Sequence, residues 1–144
     1  MNILVENIFS NLPVNLPNER FDELLCGGRF RLEQILSTGQ ATPAGQWYDQ
    51  DQPEWVLVLR GSAQLQFEGE AEAVELGPGD YVLIPAHCRH RVQWTDPRYP
   101  TVWLALHFAA RNPAAAGDRG SIVSQDLPDG QFIQAQGRAI QSAL

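Results

Sequence analysis

Residues 79–94 read GDYVLIPAHCRHRVQW, and the interpretation of the whole chain starts from this stretch. The run GPG at residues 77–79 predicts a turn, because glycine permits positive φ and proline fixes its own φ. Two short runs rich in apolar residues then predict two strands, and the first ends at Pro85, since proline has no N–H for the ladder. His87 and His90 stand between the two runs. The stretch therefore predicts a hairpin whose inner side carries titratable groups.

The strand-and-turn pattern continues on both sides of this hairpin. Apolar and polar residues alternate in several runs, whereas residues 55–59 (WVLVL) are continuously apolar and predict a strand that is covered on both faces. The predicted strands are residues 30–36, 55–59, 63–67, 74–76, 81–84, 91–94 and 101–108. Short strands joined by glycine and proline turns predict an all-β barrel or sandwich.

Three segments differ in composition. Residues 1–28 are predicted to form an N-terminal arm and one short helix at 17–25, with an asparagine as its cap and a glycine pair as its stop. Residues 29–108 hold the strands and are predicted to form one domain. Residues 109–144 are rich in alanine, lack periodicity and are predicted to be a flexible or loosely packed tail. The alternative is that residues 131–136 pack as an extra edge segment.

Composition and charge exclude several classes of protein. The net charge of −7 and the pI near 4.8 disfavour a nucleic-acid partner, which needs a basic stripe. No apolar run reaches the length of a membrane span and the first residues lack a signal-peptide pattern, so we expect a cytoplasmic protein without a membrane partner. The two cysteines, Cys26 and Cys88, make no disulfide framework. Cys88 is a candidate soft metal ligand, although a partly buried thiol is the commoner role.

Five positions carry a family resemblance. Gly79, Pro85 and His90 fill the pattern G-x5-P-x4-H, which resembles the second motif of the cupin superfamily. Glu54 is followed by six residues and then Gly61, and this spacing resembles the end of the first cupin motif, G-x5-H-x-H-x3or4-E-x6-G. The resemblance is to small single-domain cupins, covers about three quarters of the chain and implies a double-stranded jelly-roll barrel.

The sequence departs from the family pattern at the site itself. Residues 47–50 read WYDQ where the two histidines of the first motif would fall. His87 takes the place of the glycine that usually stands three residues before the motif histidine, and Trp94 replaces the usual asparagine four residues after it. The scaffold positions of the family are therefore present, whereas the ligand positions are only partly filled.

The resemblance implies one divalent metal ion, Zn, Fe, Ni or Mn, inside the barrel. His90 and Glu54 occupy motif positions and are the first candidate ligands, and a metal needs at least one further group. His87, His107 and Asp49 are the candidates for that role. The alternatives are that Glu54 forms a structural salt bridge with a neighbouring arginine, that His107 is a core residue, or that His90 pairs with a carboxylate for acid/base chemistry.

Aromatic and basic residues near the motifs are candidates for the pocket. Trp47, Tyr48 and Trp94 are predicted pocket walls, and Trp103 is more typical of the core. Arg89 and Arg91 flank His90 and are candidates for binding an anionic molecule through bidentate hydrogen bonds, although such arginines are more often a solvated face.

The chain is thus expected to be a cupin that binds a small polar or anionic molecule, with a divalent metal in the barrel. If it is an enzyme, the superfamily implies a metal-dependent isomerase, lyase or oxygenase, and the fold alone does not choose among them. The alternatives are a metal-free binding or sensing module and an assembly role for residues 1–17. We also expect a homodimer, because an apolar arm and open sheet edges favour pairing.

Overall fold

The computed structural model describes residues 3–109, 131–133 and 139–141, and those residues form strands, turns and loops without a helix. The strands are β1 (Arg20–Gly27), β2 (Phe30–Ser37), β3 (Glu54–Arg60), β4 (Ala63–Phe67), β5 (Val74–Leu76), β6 (Tyr81–Ile84), β7 (His90–Thr95), β8 (Thr101–Phe108), β9 (Gln131–Ile133) and β10 (Ala139–Gln141). The all-β prediction is confirmed. No described helix has the length and apolar character needed to cross a membrane.

The strands pair antiparallel in separate sheets. A five-stranded sheet has the order β1-β2-β8-β3-β6, a three-stranded sheet has the order β5-β4-β7, and β9 pairs with β10. Within the described residues these sheets are not joined into one continuous ring of paired strands. The closed jelly-roll barrel therefore stays a prediction.

The predicted helix at residues 17–25 is wrong, because strand β1 occupies most of this segment. The glycines expected to stop a helix instead begin the tight turn to β2, where Gly27 pairs with Phe30. The pairing register of β1 shifts between Glu23 and Leu25, and such a bulge breaks the two-residue alternation of apolar side chains. A bulged strand then has apolar spacings that resemble one turn of a helix, and pairing with β2 overrides the local pattern.

The core lies between the five-stranded and three-stranded sheets. Alternate side chains of each strand point to this inner side, as expected for the period of two in a β-strand. The buried cluster joins Val56, Val58 and Trp103 from the larger sheet to Leu65 and Phe67 from the smaller one. Burial of these side chains stabilises the two-layer arrangement by about 1.5–3 kcal/mol each.

Gly61 shows why the family motif requires glycine after β3. Its φ is +92°, and a Cβ at this position would lie 2.5 Å from Thr101 Oγ1 and 2.6 Å from Thr101 Cα. Any other residue would clash with the backbone of β8 as well as adopt a strained conformation. The close approach of these two segments thus explains the spacing of six residues between Glu54 and Gly61.

The N-terminal arm, residues 3–19, lies against the domain's own larger sheet. Gln34 on β2 donates a hydrogen bond to the Ile8 carbonyl at 2.8 Å, and Gln40 donates one to the Leu16 carbonyl at 2.7 Å. Residues 3–5 are exposed. The predicted tail, residues 109–144, falls mostly outside the described residues, and its described part contains β9 and β10.

Candidate functional site

The register of the larger sheet places charged side chains side by side on its inner face. Glu54 of β3 is opposite His107 of β8, and His107 is opposite Arg31 of β2. Residues that are directly opposite in antiparallel strands present their side chains on the same face. Four residues further along the same strands, Val58, Trp103 and Ile35 form an equivalent row of apolar side chains beyond Val56. The inner face therefore has an apolar floor and a charged end.

His90 reaches the same end from the smaller sheet. It pairs with Phe67 of β4 and forms a bridge to Tyr48 on its other side. His90 Nδ1 lies 2.9 Å from the Cys88 carbonyl oxygen and donates a hydrogen bond to it, because a carbonyl oxygen only accepts. This bond fixes the imidazole ring and leaves Nε2 directed at Glu54, from whose Oε2 it is 3.6 Å away.

Four buried or half-buried side chains meet at this end and are here called the Glu54 cluster: Glu33, Glu54, His90 and His107. His107 Nε2 lies 3.6 Å from Glu54 Oε1 and 3.6 Å from Glu33 Oε2. Glu54, His90 and His107 are 7%, 5% and 7% exposed. Distances of 3.6 Å are longer than a hydrogen bond and within the range of an ion pair when the imidazole is protonated. The cluster thus holds two imidazoles and two carboxylates, with the Glu54 carboxylate between the two imidazoles.

The Glu54 cluster opens into a cavity of about 570 Å³ between the two sheets. Its size is within the range typical of sites for small molecules. Apolar side chains of both sheets form part of the wall, and polar groups lie around the cluster. The lining residues used below are Glu19, Phe21, Arg31, Glu33, Tyr48, Gln50, Asp51, Gln52, Glu54, His90, Trp103 and His107.

Glu19 enters the cavity wall from the N-terminal arm and is held by a buried hydrogen-bond chain. Trp103 Nε1 donates to Ser37 Oγ at 3.1 Å, and Ser37 Oγ donates to Glu19 Oε1 at 2.5 Å. Burial raises the pKa of Glu19 above its usual value, although the hydrogen bond from Ser37 opposes this shift. A protonated Glu19 would present a hydrogen-bond donor to the cavity.

Tyr48 lines the cavity with a phenol side chain, and the residue is 39% exposed. Burial raises its pKa, and the negative charges of Glu19 and Glu54 raise it further, against a smaller opposing effect of a hydrogen bond with Thr42. The phenol therefore stays protonated at neutral pH and acts as a hydrogen-bond donor. Gln50 lies two residues later and donates a hydrogen bond to Glu54 Oε2 at 3.3 Å.

These two residues settle the register of the incomplete first motif. If three residues separate the second histidine position from Glu54, the two family histidine positions fall at Tyr48 and Gln50. Four intervening residues would place them at Trp47 and Asp49. Tyr48 and Gln50 line the cavity, whereas Trp47 and Asp49 do not. A phenol and an amide therefore stand where the family pattern has two imidazoles.

His87 and Asp49 lie at an outer turn, away from the cavity wall. His87 Nδ1 and Asp49 Oδ1 are 3.1 Å apart, and the His87 side chain is 67% exposed. His87 has φ +59°, in the left-handed region that favours glycine. This explains why the family pattern has glycine at the position. Of the five predicted metal ligands, the structure brings together His90, Glu54 and His107. It places His87 beside Asp49, outside the cavity, with His87 Nε2 3.9 Å from Oδ1 of the lining residue Asp51.

The other predicted pocket residues also separate into groups. The guanidinium carbons of Arg89 and Arg91 lie 5.9 and 5.8 Å from the ring centre of Trp47, and none of the three lines the cavity. Trp94 lines a different, smaller cavity of about 260 Å³. Cys88 packs against the core, and burial, with a smaller effect of a nearby carboxylate, raises its pKa to about 11. Its thiol is therefore protonated and a poor metal ligand.

The metal ion implied by the resemblance does not fit these side chains as they are placed. Among residues 3–109, no three His, Cys, Asp or Glu side chains are arranged so that they could hold a metal ion. The two family ligand positions at Tyr48 and Gln50 carry a protonated phenol and a neutral amide, which are weaker ligands than imidazole. The metal stays a prediction, and no chemical step proposed below depends on it.

Comparison with known proteins identifies the family. A model described as the cupin domain matches residues 32–107, more than half of the chain. The chain belongs to the cupin-domain family. This confirms the family resemblance found in the sequence. No match is found among curated proteins.

Solved structures resemble the chain at two levels of sequence identity. A protein named "putative mannose-6-phosphate isomerase" from Ralstonia eutropha is 48% identical, with 75% of this chain and 100% of that chain covered and a TM-score of 0.73. A cupin superfamily protein from Desulfitobacterium hafniense is 16% identical over 67% of this chain and 82% of its own, with a TM-score of 0.55. An RmlC-like cupin from Desulfovibrio desulfuricans is 14% identical over 74% and 97%, with a TM-score of 0.57. The last two show the fold alone.

Sequence reasoning missed several cavity residues, including Glu19, Arg31 and Glu33. Arg31 and Glu33 belong to a strand that the alternation predicts, but the alternation alone does not show which of its two faces points into the cavity. Glu19 belongs to the segment that was predicted as a helix. The sequence signal for these residues is that Arg31 and Glu33 are two charged residues on the same face of β2. That this face lies beside His107 is known only once the pairing of β2 with β8 is known.

Proposed function

We propose that this cupin is an isomerase that moves a proton on a small polar molecule bound in the cavity, with Glu54 as the central base. The observation that carries the proposal is the position of the Glu54 carboxylate between two buried imidazoles, 3.6 Å from the Nε2 atom of each. Carboxylate and imidazole groups within reach of one ligand are the usual participants in general acid–base catalysis. The cavity supplies a partly desolvated space in which such groups act.

The proposed reaction needs no oxidant and no resident cofactor to balance. The Glu54 carboxylate takes a proton from a hydroxyl-bearing carbon next to a carbonyl group. The electron pair of that C–H bond forms a carbon–carbon double bond, and the π pair of the carbonyl moves to its oxygen, which takes a proton from His90, His107 or the Tyr48 phenol. Glu54 then returns its proton to the former carbonyl carbon, the neighbouring hydroxyl gives its proton to the group that had donated one, and its oxygen becomes the new carbonyl oxygen, so each group is restored.

The orientation of the groups supports this division of roles. The hydrogen bond from His90 Nδ1 to the Cys88 carbonyl holds the ring, so Nε2 is the atom that exchanges a proton. Because the pKa of Tyr48 is raised, its phenol keeps its proton at neutral pH and can donate it. A base and two kinds of proton donor therefore face one cavity.

The Ralstonia relative supports an isomerase rather than a lyase or an oxygenase. Its name places an isomerase activity on a chain that is 48% identical, and the match covers all of that chain. The name is that of the relative alone. It narrows the reaction class that we propose here, whereas the substrate is argued from the cavity of this chain.

A direct test follows sugars by proton NMR in the presence of the full chain. A panel of common aldoses and ketoses, free and phosphorylated, is incubated with wild type, Glu54→Gln and the matched control Glu72→Gln. Glu72 is an exposed carboxylate outside the cavity. Each protein is assayed as purified and after treatment with a chelator, and circular dichroism checks that the variants are folded.

We expect interconversion by wild type and by Glu72→Gln, and a loss of about 100-fold or more in Glu54→Gln. Binding of a panel member without interconversion by wild type would contradict the isomerase and favour a metal-free binding module. Activity that disappears with chelation and returns with Zn, Fe, Ni or Mn would show that the reaction needs a metal ion and would contradict the metal-free mechanism. Equal rates in wild type and Glu54→Gln would contradict the role of Glu54.

A further inference from the structure

The charge of the cavity wall is strongly biased toward carboxylates. Glu19, Glu33, Asp51 and Glu54 line the cavity, and they face one guanidinium, that of Arg31, together with the two imidazoles of the Glu54 cluster. A phosphate group carries up to two negative charges near neutral pH. Placing it beside the partly desolvated carboxylates of Glu19, Glu33 and Glu54 costs electrostatic energy that one cation only partly offsets. Asp51 adds less, because its side chain is 97% exposed.

Arg31, the one described cation in the wall besides the imidazoles, is already paired. Its Nε lies 2.7 Å from Glu33 Oε1, and the Glu33 side chain is only 15% exposed. The pair is thus held at the cavity by a poorly solvated carboxylate. A phosphate that recruits Arg31 must compete with this carboxylate, so the pair lowers the capacity of the cavity for anions.

Within the described residues, no other arginine adds a positive charge to the cavity wall. The chain contains no lysine, so every permanent side-chain cation is an arginine. Arg89 and Arg91 face Trp47 on the outer side of β7 and do not line the cavity. Arg89 also forms an ion pair with Glu68. The wall therefore lacks the cluster of guanidinium groups that recognises phosphate.

The same wall suits hydroxyl groups. Carboxylates accept hydrogen bonds from hydroxyls, and the amides of Gln50 and Gln52 offer both a donor and an acceptor on one planar group. Phe21 and Trp103 add flat apolar surface beside these polar groups. A compact ring molecule with several hydroxyls suits such a wall, because its hydroxyls can form hydrogen bonds with the polar groups and the C–H face of its ring can pack on the aromatic side chains.

We infer that the ligand of this cavity is an uncharged polyhydroxylated molecule, of the class of unphosphorylated sugars, rather than a sugar phosphate. The inference concerns the same cavity as the proposed isomerase and rests on it. It differs from the phosphorylated sugar in the name of the Ralstonia relative. Recognition of neutral hydroxyls explains why the wall keeps carboxylates where a phosphate site would have arginines.

Isothermal titration calorimetry on the full chain tests this inference without requiring turnover. D-mannose, a panel of other neutral hexoses and pentoses, D-mannose 6-phosphate and inorganic phosphate are titrated at low ionic strength, where charge effects are largest. We expect at least one neutral sugar to bind, and its 6-phosphate to bind about tenfold more weakly or not at all. Raising the salt concentration should narrow the difference.

The variant Glu33→Gln sharpens the test, with Glu72→Gln as its control. The change removes one negative charge from the wall and frees Arg31, so the affinity ratio should move toward the phosphorylated sugar by about tenfold. Glu72→Gln should leave the ratio unchanged, because Glu72 does not line the cavity.

The possible outcomes separate this inference from the proposed activity. Tighter binding of the 6-phosphate by wild type would overturn the inference, and so would a failure of every neutral sugar to bind. Binding of a neutral sugar without interconversion would uphold the inference and contradict the isomerase. Interconversion of a phosphorylated sugar, with no interconversion or binding of neutral sugars, would support the isomerase and overturn the inference.

Discussion

The substitution Ser37→Ala should destabilise the protein strongly, because one buried hydroxyl joins the core to the cavity. Ser37 is 0% exposed, and its Oγ accepts a hydrogen bond from Trp103 Nε1 and donates one to Glu19 Oε1. Alanine leaves the Trp103 N–H without a partner in a side chain that is 3% exposed, at a cost of about 1–3 kcal/mol. Loss of the hydrogen bond to Glu19 adds about 1 kcal/mol. The expected loss in the free energy of unfolding is therefore about 2–4 kcal/mol.

Urea denaturation followed by tryptophan fluorescence measures this loss, with Ser62→Ala as the matched control. Ser62 stands in the turn after β3, and the hydrogen bonds found for it use its backbone atoms. We expect the control to change the free energy of unfolding by less than about 0.5 kcal/mol. A loss below about 1 kcal/mol in Ser37→Ala would refute the reasoning, since it would mean that Trp103 finds another partner or water.

Three further predictions concern the turn after β3, the cavity and the edge of the larger sheet. Gly61→Ala should lower the free energy of unfolding by about 3 kcal/mol or more, because a Cβ would clash with Thr101 at a φ of +92°; a stability near wild type in urea would contradict this. Burial raises the pKa of Glu19 in the folded state above its ordinary value of 4.5, so the stability that Glu19 contributes should be lost as pH rises above about 4.5, and Glu19→Gln should reduce that loss; parallel pH profiles of wild type and Glu19→Gln would argue against it. Exposed apolar side chains on β1, at the sheet edge, favour a homodimer, and a monomer mass at micromolar concentration by light scattering would rule it out.

The strands were predictable because their signals are local. Alternation, β-branched residues and the turns at glycine and proline gave the strands from β2 to β8 with small shifts at the ends. The edge strand β1 was missed because a bulge between Glu23 and Leu25 disturbs its alternation. A period of two identifies a strand only where the strand is regular, so irregular edges need the partner strand to be recognised.

The candidate site was predictable only in part, because it depends on register across strands that are distant in sequence. His90 and Glu54 were found through the spacing of the motifs. Glu33 was missed, since its place beside His107 follows from the pairing of β2 with β8. His87 was predicted as a metal ligand because nothing in the sequence shows that its φ is +59° and that its side chain is 67% exposed.

The most direct test of the central role of Glu54 is the incorporation of solvent deuterium into a bound sugar. Proton NMR in D₂O follows the hydrogen on the carbon next to the carbonyl group in the presence of wild type, Glu54→Gln or Glu72→Gln. If Glu54 is the base, wild type and Glu72→Gln replace this hydrogen with deuterium, and Glu54→Gln does so about 100-fold more slowly or not at all. Exchange at the same rate with Glu54→Gln, or no exchange with wild type, would contradict the account.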